Sequence, residues 1–312
     1  MTENGFNSAA SRVDPFKKLK IADNDFLNQI EGRSPCPECR KSRKFFCYSC
    51  YVPVERLNGA LPNVELPIAI DIIKHKNETD GKSTAVHAAI LAPKYVTVYE
   101  YPTIPDYSME DGVVLIFPSH KSTNVYSLFS QNVQLKKRPL PKGHNMGTLL
   151  KNLAIECQAS EGNETEAETD GLPIKKAVFI DSTWNQSRSI YKDERISSMR
   201  SVVLQNRLSQ FWRHQKDSPR WYLATIEAIH QFLIELHINA WGMYETYEGF
   251  DNLGLNMNAI CDKYKGLCRN NLGAAPYNGQ YDNLLFFFTH MYKLIHTYYD
   301  HNKLKAYKRP IN

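Results

Sequence analysis

Long hydrophobic runs are missing from this sequence. Its most apolar stretch, residues 284–288, is five residues long and is flanked by Asp282, His290 and Lys293. A membrane-spanning helix needs roughly 20 apolar residues. The first 25 residues are polar and hold no apolar core segment, which excludes a secretory signal. One-sided charge is missing as well. The formal net charge of +5 permits a nucleic-acid partner without demanding one, because clustered charge marks such binders, not the total. A disulfide framework is also missing: the cysteines number seven, with four in one tight cluster, the pattern of a metal site. Nor is a phosphate-binding loop complete. Gly81-Lys82-Ser83 resembles the end of one, but Lys76 stands where its first glycine belongs, and no apolar strand runs directly into it. No internal repeat is evident. These absences predict a soluble, intracellular protein in which the sequons at Asn77, Asn163 and Asn185 stay unglycosylated.

What is present supports a core. Of the 312 residues, 42% are hydrophobic, enough for one large domain or two ordinary ones. Residues 1–33 read as a mobile arm, with Phe26, Leu27 and Ile30 forming an amphipathic turn capped at Asp23 or Asn24. Strands are expected at residues 66–73, 95–99, 113–117, 178–180 and 202–204, and a helix around 86–91. Residues 156–171 carry six acids and almost no large apolar side chains, the composition of a disordered insertion. Ser218-Pro219 reads as a helix start, with serine as cap and proline in the first turn. Leu223, Ile226, Leu233 and Leu236 follow at helical spacing. A last helix is expected over 280–299. Strands alternating with helices predict an α/β domain with a largely parallel sheet.

The cysteine cluster is Cys36-x2-Cys39 followed by Cys47-x2-Cys50. Each pair forms a knuckle whose thiolates converge, and two knuckles give tetrahedral sulfur ligation for a structural Zn2+. Four cysteine ligands leave no open position for catalysis. Arg40, Lys41, Arg43 and Lys44 between the knuckles favour the thiolate form. Pro35-Cys36-x-x-Cys39 also matches half of a zinc-deaminase signature, but the required H-x-E is absent upstream, so that reading is rejected. A small cysteine module over 34–60 and a large domain over 61–312 are the expected division.

Asp181-Ser182-Thr183-Trp184 follows the apolar run Ala177-Val178-Phe179-Ile180. An acid and a hydroxyl at the C-terminal end of a buried strand sit where open α/β sheets bind ligands. Taken singly, each residue has a plainer explanation: an acid there often caps a helix, a tryptophan is often core, and an arginine is often surface charge.

The tetrapeptide resembles the D-x-T-W signature of the DTW-domain family, and the resemblance extends well beyond it. The two CxxC knuckles are followed by an H-x-x-E segment with a basic residue and a threonine, here His75, Glu78, Lys82 and Thr84. Lys76 replaces the proline usual after that histidine. An apolar strand ending in Pro118-Ser119 comes next, then D-x-T-W, then Arg207 and Arg213 before a T-x-E-A helix at Thr225-Ile226-Glu227-Ala228. The order is the family's, from Cys36 to about residue 233, and the likeness is greatest to a eukaryotic branch.

The resemblance implies a SPOUT-like α/β domain with a C-terminal trefoil knot. It implies transfer of a 3-amino-3-carboxypropyl group from S-adenosyl-L-methionine to N3 of a uridine in tRNA, in the D-loop. Pro118, Ser119, Leu204, Arg207, Arg213, Thr225 and Glu227 would then line the cofactor site. Asp181, Thr183 and Trp184 would be catalytic: the carboxylate takes the N3 proton, the hydroxyl orients it or bonds a uracil carbonyl, and the indole stacks on a base. His75, Glu78, Lys82, Thr84 and the basic residues Arg40, Lys41, Arg43 and Lys44 would contact the RNA. Further basic clusters at Lys136-Lys137-Arg138 and 303–309 are candidate RNA contacts, and residues 136–142 read as a nuclear-import patch. No obligate protein partner is inferred. An RNA methyltransferase on the same cofactor and a non-catalytic zinc-containing RNA-binding protein are the alternatives.

Overall fold

The computed structural model describes residues 14–129, 172–204, 207–216, 218–250, 253 and 275–309. The acidic stretch 156–171, the cluster Lys136-Lys137-Arg138 and residues 1–13 of the expected arm lie outside them.

Two short antiparallel ladders form the cysteine segment: β1 (Ser34–Pro35) pairs with β2 (Ser42–Arg43), and β3 (Phe46–Cys47) with β4 (Val52–Pro53). The main sheet has six strands, β5 (Ala69–His75), β6 (Val96–Tyr101), β7 (Val113–Ile116), β8 (Thr123–Asn124), β9 (Lys176–Asp181) and β10 (Arg200–Val203). Their spatial order is β6-β5-β9-β7-β10-β8, and every neighbouring pair is parallel. Five α-helices accompany them among the described residues: α1 (Ala85–Leu91), α2 (Trp184–Ile190), α3 (Glu194–Ser197), α4 (Thr225–Trp241) and α5 (Phe286–Tyr298). None is long and apolar enough to cross a membrane.

Side chains alternate across each strand, so each strand feeds two cores. Ile70, Ile72, Val114, Ala177, Phe179 and Val202 face α1, α4 and α5 in the larger core. Ile73, Val113, Leu115 and Val178 pack with Ile190 of α2 and Ile196 of α3 in the smaller one. The chain leaves β5 through α1 toward the edge strand β6. It leaves β9 through α2 and α3 toward β10 on the other side. Adjacent strands with connections departing in opposite directions define a topological switch point, and the crevice beyond their C-terminal ends is where such sheets hold ligands. His75 and Asp181 end those two strands.

Three expectations are corrected. Ser218-Pro219 does not start a helix: the Pro219 carbonyl accepts the Tyr222 N–H in a turn, and α4 begins at Thr225. Glu227 in its first turn accepts the Ala224 N–H at 2.9 Å, a stronger start signal than the earlier proline. The last helix opens as a 3-10 turn (Asp282–Leu285) and is α-helical only from Phe286. Gly279 precedes it at φ +92, where an added Cβ would lie 2.8 Å from an Asp282 carboxylate oxygen. Residues 14–33 are packed, not an arm. Phe16, Leu19 and Leu27 are buried in the larger core, and the Asn24 amide donates to the Phe286 carbonyl and to Thr289 Oγ1. Their few apolar residues are widely spaced, which hid this anchoring from composition.

Candidate active site

Asp181 ends β9 on the face covered by α1 and α4 and is 4% exposed. Thr225 Oγ1, in the first turn of α4, donates to Asp181 Oδ1 at 2.6 Å. Ser83 Oγ, just before α1, donates to Oδ2 at 2.7 Å. Thr84 Oγ1 accepts the Ile226 N–H at 3.2 Å. The starts of α1 and α4 are thus drawn together on one carboxylate, whose dipole-favoured position is beside helix N-termini. Burial raises the Asp181 pKa, while the Thr225 and Ser83 hydroxyls and the Lys74 charge pull it down. An ionised carboxylate offers about four acceptor positions, so the two hydroxyl bonds leave acceptor capacity on each oxygen.

Lys74 stands beside Asp181 in register on β5. Paired residues of parallel strands project to the same face. Lys74 is 8% exposed and its ammonium forms a close ion pair with Asp80. Burial disfavours its charge, but the Asp80 bond and the neighbouring Tyr51, Asp80 and Asp181 outweigh it and raise the pKa. The loop from His75 carries the rest of the expected H-x-x-E set. The His75 carbonyl accepts the Glu78 N–H at 2.8 Å, and His75 Nδ1 accepts the Asn77 N–H at 3.1 Å. Glu78 is half-buried; burial and then the Asp181 charge push its pKa up, against Lys74, Lys82 and Arg213. Arg213 donates to the Gly81 carbonyl at 3.1 Å, and Lys76 and Lys82 are exposed on the same loop.

Trp184 is half-buried, with its ring 4.0 Å from Tyr222 and 6.4 Å from Phe117. This aromatic group lies where β7 and β9 end. Thr183 is the exposed N-cap of α2; its N–H and its hydroxyl both donate to Gln186 Oε1, at 3.0 and 2.9 Å. Pro118 is half-buried after β7. The buried Ser119 hydroxyl is tied to Ser201 at 2.8 Å and to Ser122 at 3.0 Å. Leu204, after β10, packs partly buried on the larger core.

Two expected cofactor residues turn inward instead. Glu227 is fully buried and accepts from Ser209 Oγ, the Gln210 N–H and the Ala224 N–H at 2.7, 2.7 and 2.9 Å. Arg207 is 1% exposed and lies 3.1 Å from His230 Nδ1, whose other nitrogen is 3.2 Å from Asp282. Tyr247 and Tyr277 also donate to Asp282, at 2.7 and 2.8 Å. Arg207 therefore belongs to a buried network on α4, while Arg213 belongs to the loop beside Asp181.

The four cysteine sulfurs lie within 4.8 Å of one another, with Cys39 and Cys47 3.6 Å apart. A tetrahedral zinc with bonds of about 2.3 Å sets sulfurs roughly 3.8 Å apart, so the donor set fits that metal. Burial raises the Cys47 thiol, but the Arg43 guanidinium, donating to the sulfur at 3.4 Å, and nearby N–H groups hold it at about 6. Arg43 itself is buried and lies 3.8 Å over the Tyr48 ring, so it serves the knuckles. Arg40, Lys41 and Lys44 are exposed. The second knuckle reaches the Asp181 region: Ser49 Oγ donates to Asp80 Oδ2 at 3.4 Å, and Tyr51, at φ +58, is half-buried near Lys74. A separate cleft lined by Tyr107, Glu110, Val113, Ile174 and Arg200 opens at the opposite, N-terminal end of the strands.

Sequence reading missed Lys74, Asp80, Ser83, Tyr51 and Tyr222. A signal existed for Lys74: alternation from Ile70 and Ile72 puts a lysine on the buried face of an apolar strand, an uncommon place for an unpaired charge.

A model of the DTW domain matches residues 44–296. A rat protein named tRNA-uridine aminocarboxypropyltransferase 1 is 39% identical over 302 residues, covering 94% of this chain and 88% of its own. The human protein of that name is 38% identical over 301 residues, at 94% and 88% coverage. One from Xenopus laevis is 38% identical over 306 residues, at 93% and 90%. No solved structure matches.

Proposed function

The chain belongs to the DTW-domain family, and from that premise we propose that it transfers the 3-amino-3-carboxypropyl group of S-adenosyl-L-methionine to N3 of a uridine in tRNA. Curated relatives across most of the chain carry the name of that activity. The observation that carries the reading is Asp181: a buried carboxylate with free acceptor positions at the switch point of a parallel sheet, beside the Trp184–Tyr222 pair.

Uridine N3 holds an imide proton and is a poor nucleophile until that proton leaves. In the proposed step the N3–H proton passes to the Asp181 carboxylate. The N3 lone pair forms a bond to the γ-methylene carbon of the donor's arm. The carbon–sulfur bond breaks, its electrons go to the sulfonium sulfur, and neutral methylthioadenosine departs. N3 is also the Watson–Crick donor, so the uridine must be unpaired. A D-loop uridine satisfies this. The arm's carboxylate requires a cation. Arg213, half-buried in the segment before α4 and bonded to the Gly81 carbonyl, suits it better than the inward Arg207. Thr225 and the turn at Pro118 and Ser119 flank the space proposed for the donor, with Leu204 at the strand end beyond. Zn2+ is the proposed occupant of the cysteine cluster, as a structural ion. The finer architecture we propose is SPOUT-like with a trefoil knot; β9 and β10 inserted between earlier strands support it. The nucleus is the proposed location.

The test is incubation of purified protein with donor and unmodified tRNA, followed by nucleoside mass spectrometry. Aminocarboxypropyluridine and methylthioadenosine are expected. Release of S-adenosylhomocysteine would make the chain a methyltransferase instead.

A further inference from the structure

Asp181 is asked to be a base although it is almost wholly removed from water. Desolvation favours its protonated form, which cannot accept a proton. The Ser83 and Thr225 hydroxyls offset this only in part, because a hydroxyl can rotate to accept from a protonated acid as readily as it donates to an ionised one. A fixed positive charge discriminates between the two forms, and one is present. Lys74 is the in-register neighbour of Asp181 on the same face of the sheet. Its ammonium is pinned by Asp80, which is tethered in turn to Ser49 of the second knuckle.

We propose that Lys74 is a positioning residue for the transfer reaction: its ammonium, fixed by Asp80 beside Asp181, holds the Asp181 carboxylate in the ionised form that accepts the uridine proton. The inference rests on the reading of Asp181 as the base. Lys74 lies on no motif carried over from the family, and it does not itself receive the proton. Asp80, Glu78 and Lys82 face the pair from the His75 loop, Arg213 from the segment before α4 and Tyr51 from the knuckle, while Glu100 of β6 is paired in register with Lys74 on the side away from Asp181. Among them Lys74 is the cation whose charge acts on Asp181. The acids in this group work against ionisation, which makes the lysine more necessary. The arrangement also explains a charged side chain in the buried row of an apolar strand.

The experiment compares pH profiles of kcat/KM for tRNA in the wild type, Lys74→Met, Lys74→Gln, Lys74→Arg and Asp181→Asn. Loss of a neighbouring cation moves a carboxylate by about one pH unit or more. The acid limb is therefore expected to move up by that amount in Lys74→Met and Lys74→Gln, with activity recovering at high pH. In Lys74→Arg it stays in place. A purely structural lysine would lower the rate equally at every pH, so a neutral variant with reduced activity and an unmoved acid limb overturns the proposal. Two neutral variants guard against one that fails to fold, and circular dichroism reports on each. If Asp181→Asn keeps full transfer, the base assignment fails first and the role of Lys74 falls with it. If Asp181→Asn is inactive while the neutral lysine variants keep the wild-type profile, only the lysine inference fails.

Discussion

At the scale of single residues the site is built around the cost of burying one carboxylate. Burial sets the Asp181 pKa above its ordinary value, so the folded state binds its proton more tightly than the unfolded state does. Stability from such a group is present below the unfolded pKa and is lost as pH rises through the folded one. The ionised Asp181 therefore lowers stability at neutral pH. Asp181→Asn is expected to reduce kcat by about 10²–10⁴-fold, the usual worth of a general base. Its urea midpoint at pH 7 should equal or exceed the wild type's. A large loss of stability at pH 7 would show instead that the Ser83 and Thr225 bonds joining α1 and α4 to Asp181 stabilise the fold by more than burying its charge costs. The sequence made this acid legible because strand, acid, hydroxyl and aromatic stand together in Asp181-Ser182-Thr183-Trp184. It showed Lys74 only as a lysine on a buried strand face and Tyr51 not at all, because their proximity to Asp181 arises from strand register and from the fold of a knuckle distant in sequence. It also did not disclose the inward direction of Arg207 and Glu227, which depends on partners that periodicity does not reveal.

At the scale of elements, the sheet was legible wherever a strand was short, apolar and bounded by turns. β7 and β9 fall within a residue or two of expectation, because buried parallel strands leave nearly continuous apolar runs. Cap signals alone put the start of α4 too early, at Ser218-Pro219, since the carboxylate that fixes it lies inside the helix; the family resemblance put a helix at Thr225, where it begins. That carboxylate bears a prediction. Glu227→Gln keeps the shape but loses acceptor capacity against the donors from Ser209, Gln210 and Ala224. A cost of about 1.5–3 kcal/mol is expected, measured by chemical denaturation. The cysteine segment carries another. Phe45 and Phe46 pack against His290 and Phe287 of α5, with ring centroids 5.2 and 4.8 Å apart. Loss of a metal held by this cluster would therefore disturb the main core as well as the knuckles. Cys36→Ser is expected to lower bound zinc and the thermal midpoint together. An unchanged midpoint in a zinc-free protein would show that the cluster is not structural.

At the scale of the whole molecule, the question is how a chain of modest net charge holds an RNA. Exposed cations are scattered over the described residues, and three groups of them are close in sequence or beside the site. Arg40, Lys41 and Lys44 lie on the cysteine segment, Lys76 and Lys82 on the loop beside Asp181, and Lys303, Lys305 and Lys308 near the C-terminal end. That last segment is fastened to the approach to the site: Tyr307 donates to the Gln210 carbonyl at 2.9 Å and Arg309 to the Pro219 carbonyl at 3.3 Å. Tyr298 and Tyr299, 75% and 59% exposed, stand next to it in sequence, a pairing of aromatic and basic side chains suited to single-stranded nucleic acid. Phosphate contacts reveal themselves through salt, since each one released removes roughly 0.7–0.9 from the slope of log affinity against log salt. Lys303→Glu, Lys305→Glu and Lys308→Glu combined are expected to flatten that slope and raise KM for tRNA several-fold at physiological salt. kcat should stay near the wild-type value, because none of the three approaches Asp181. The same combination on the cysteine segment, Arg40→Glu with Lys41→Glu and Lys44→Glu, separates the two surfaces. Whichever set leaves slope and KM unchanged faces solvent and not the RNA.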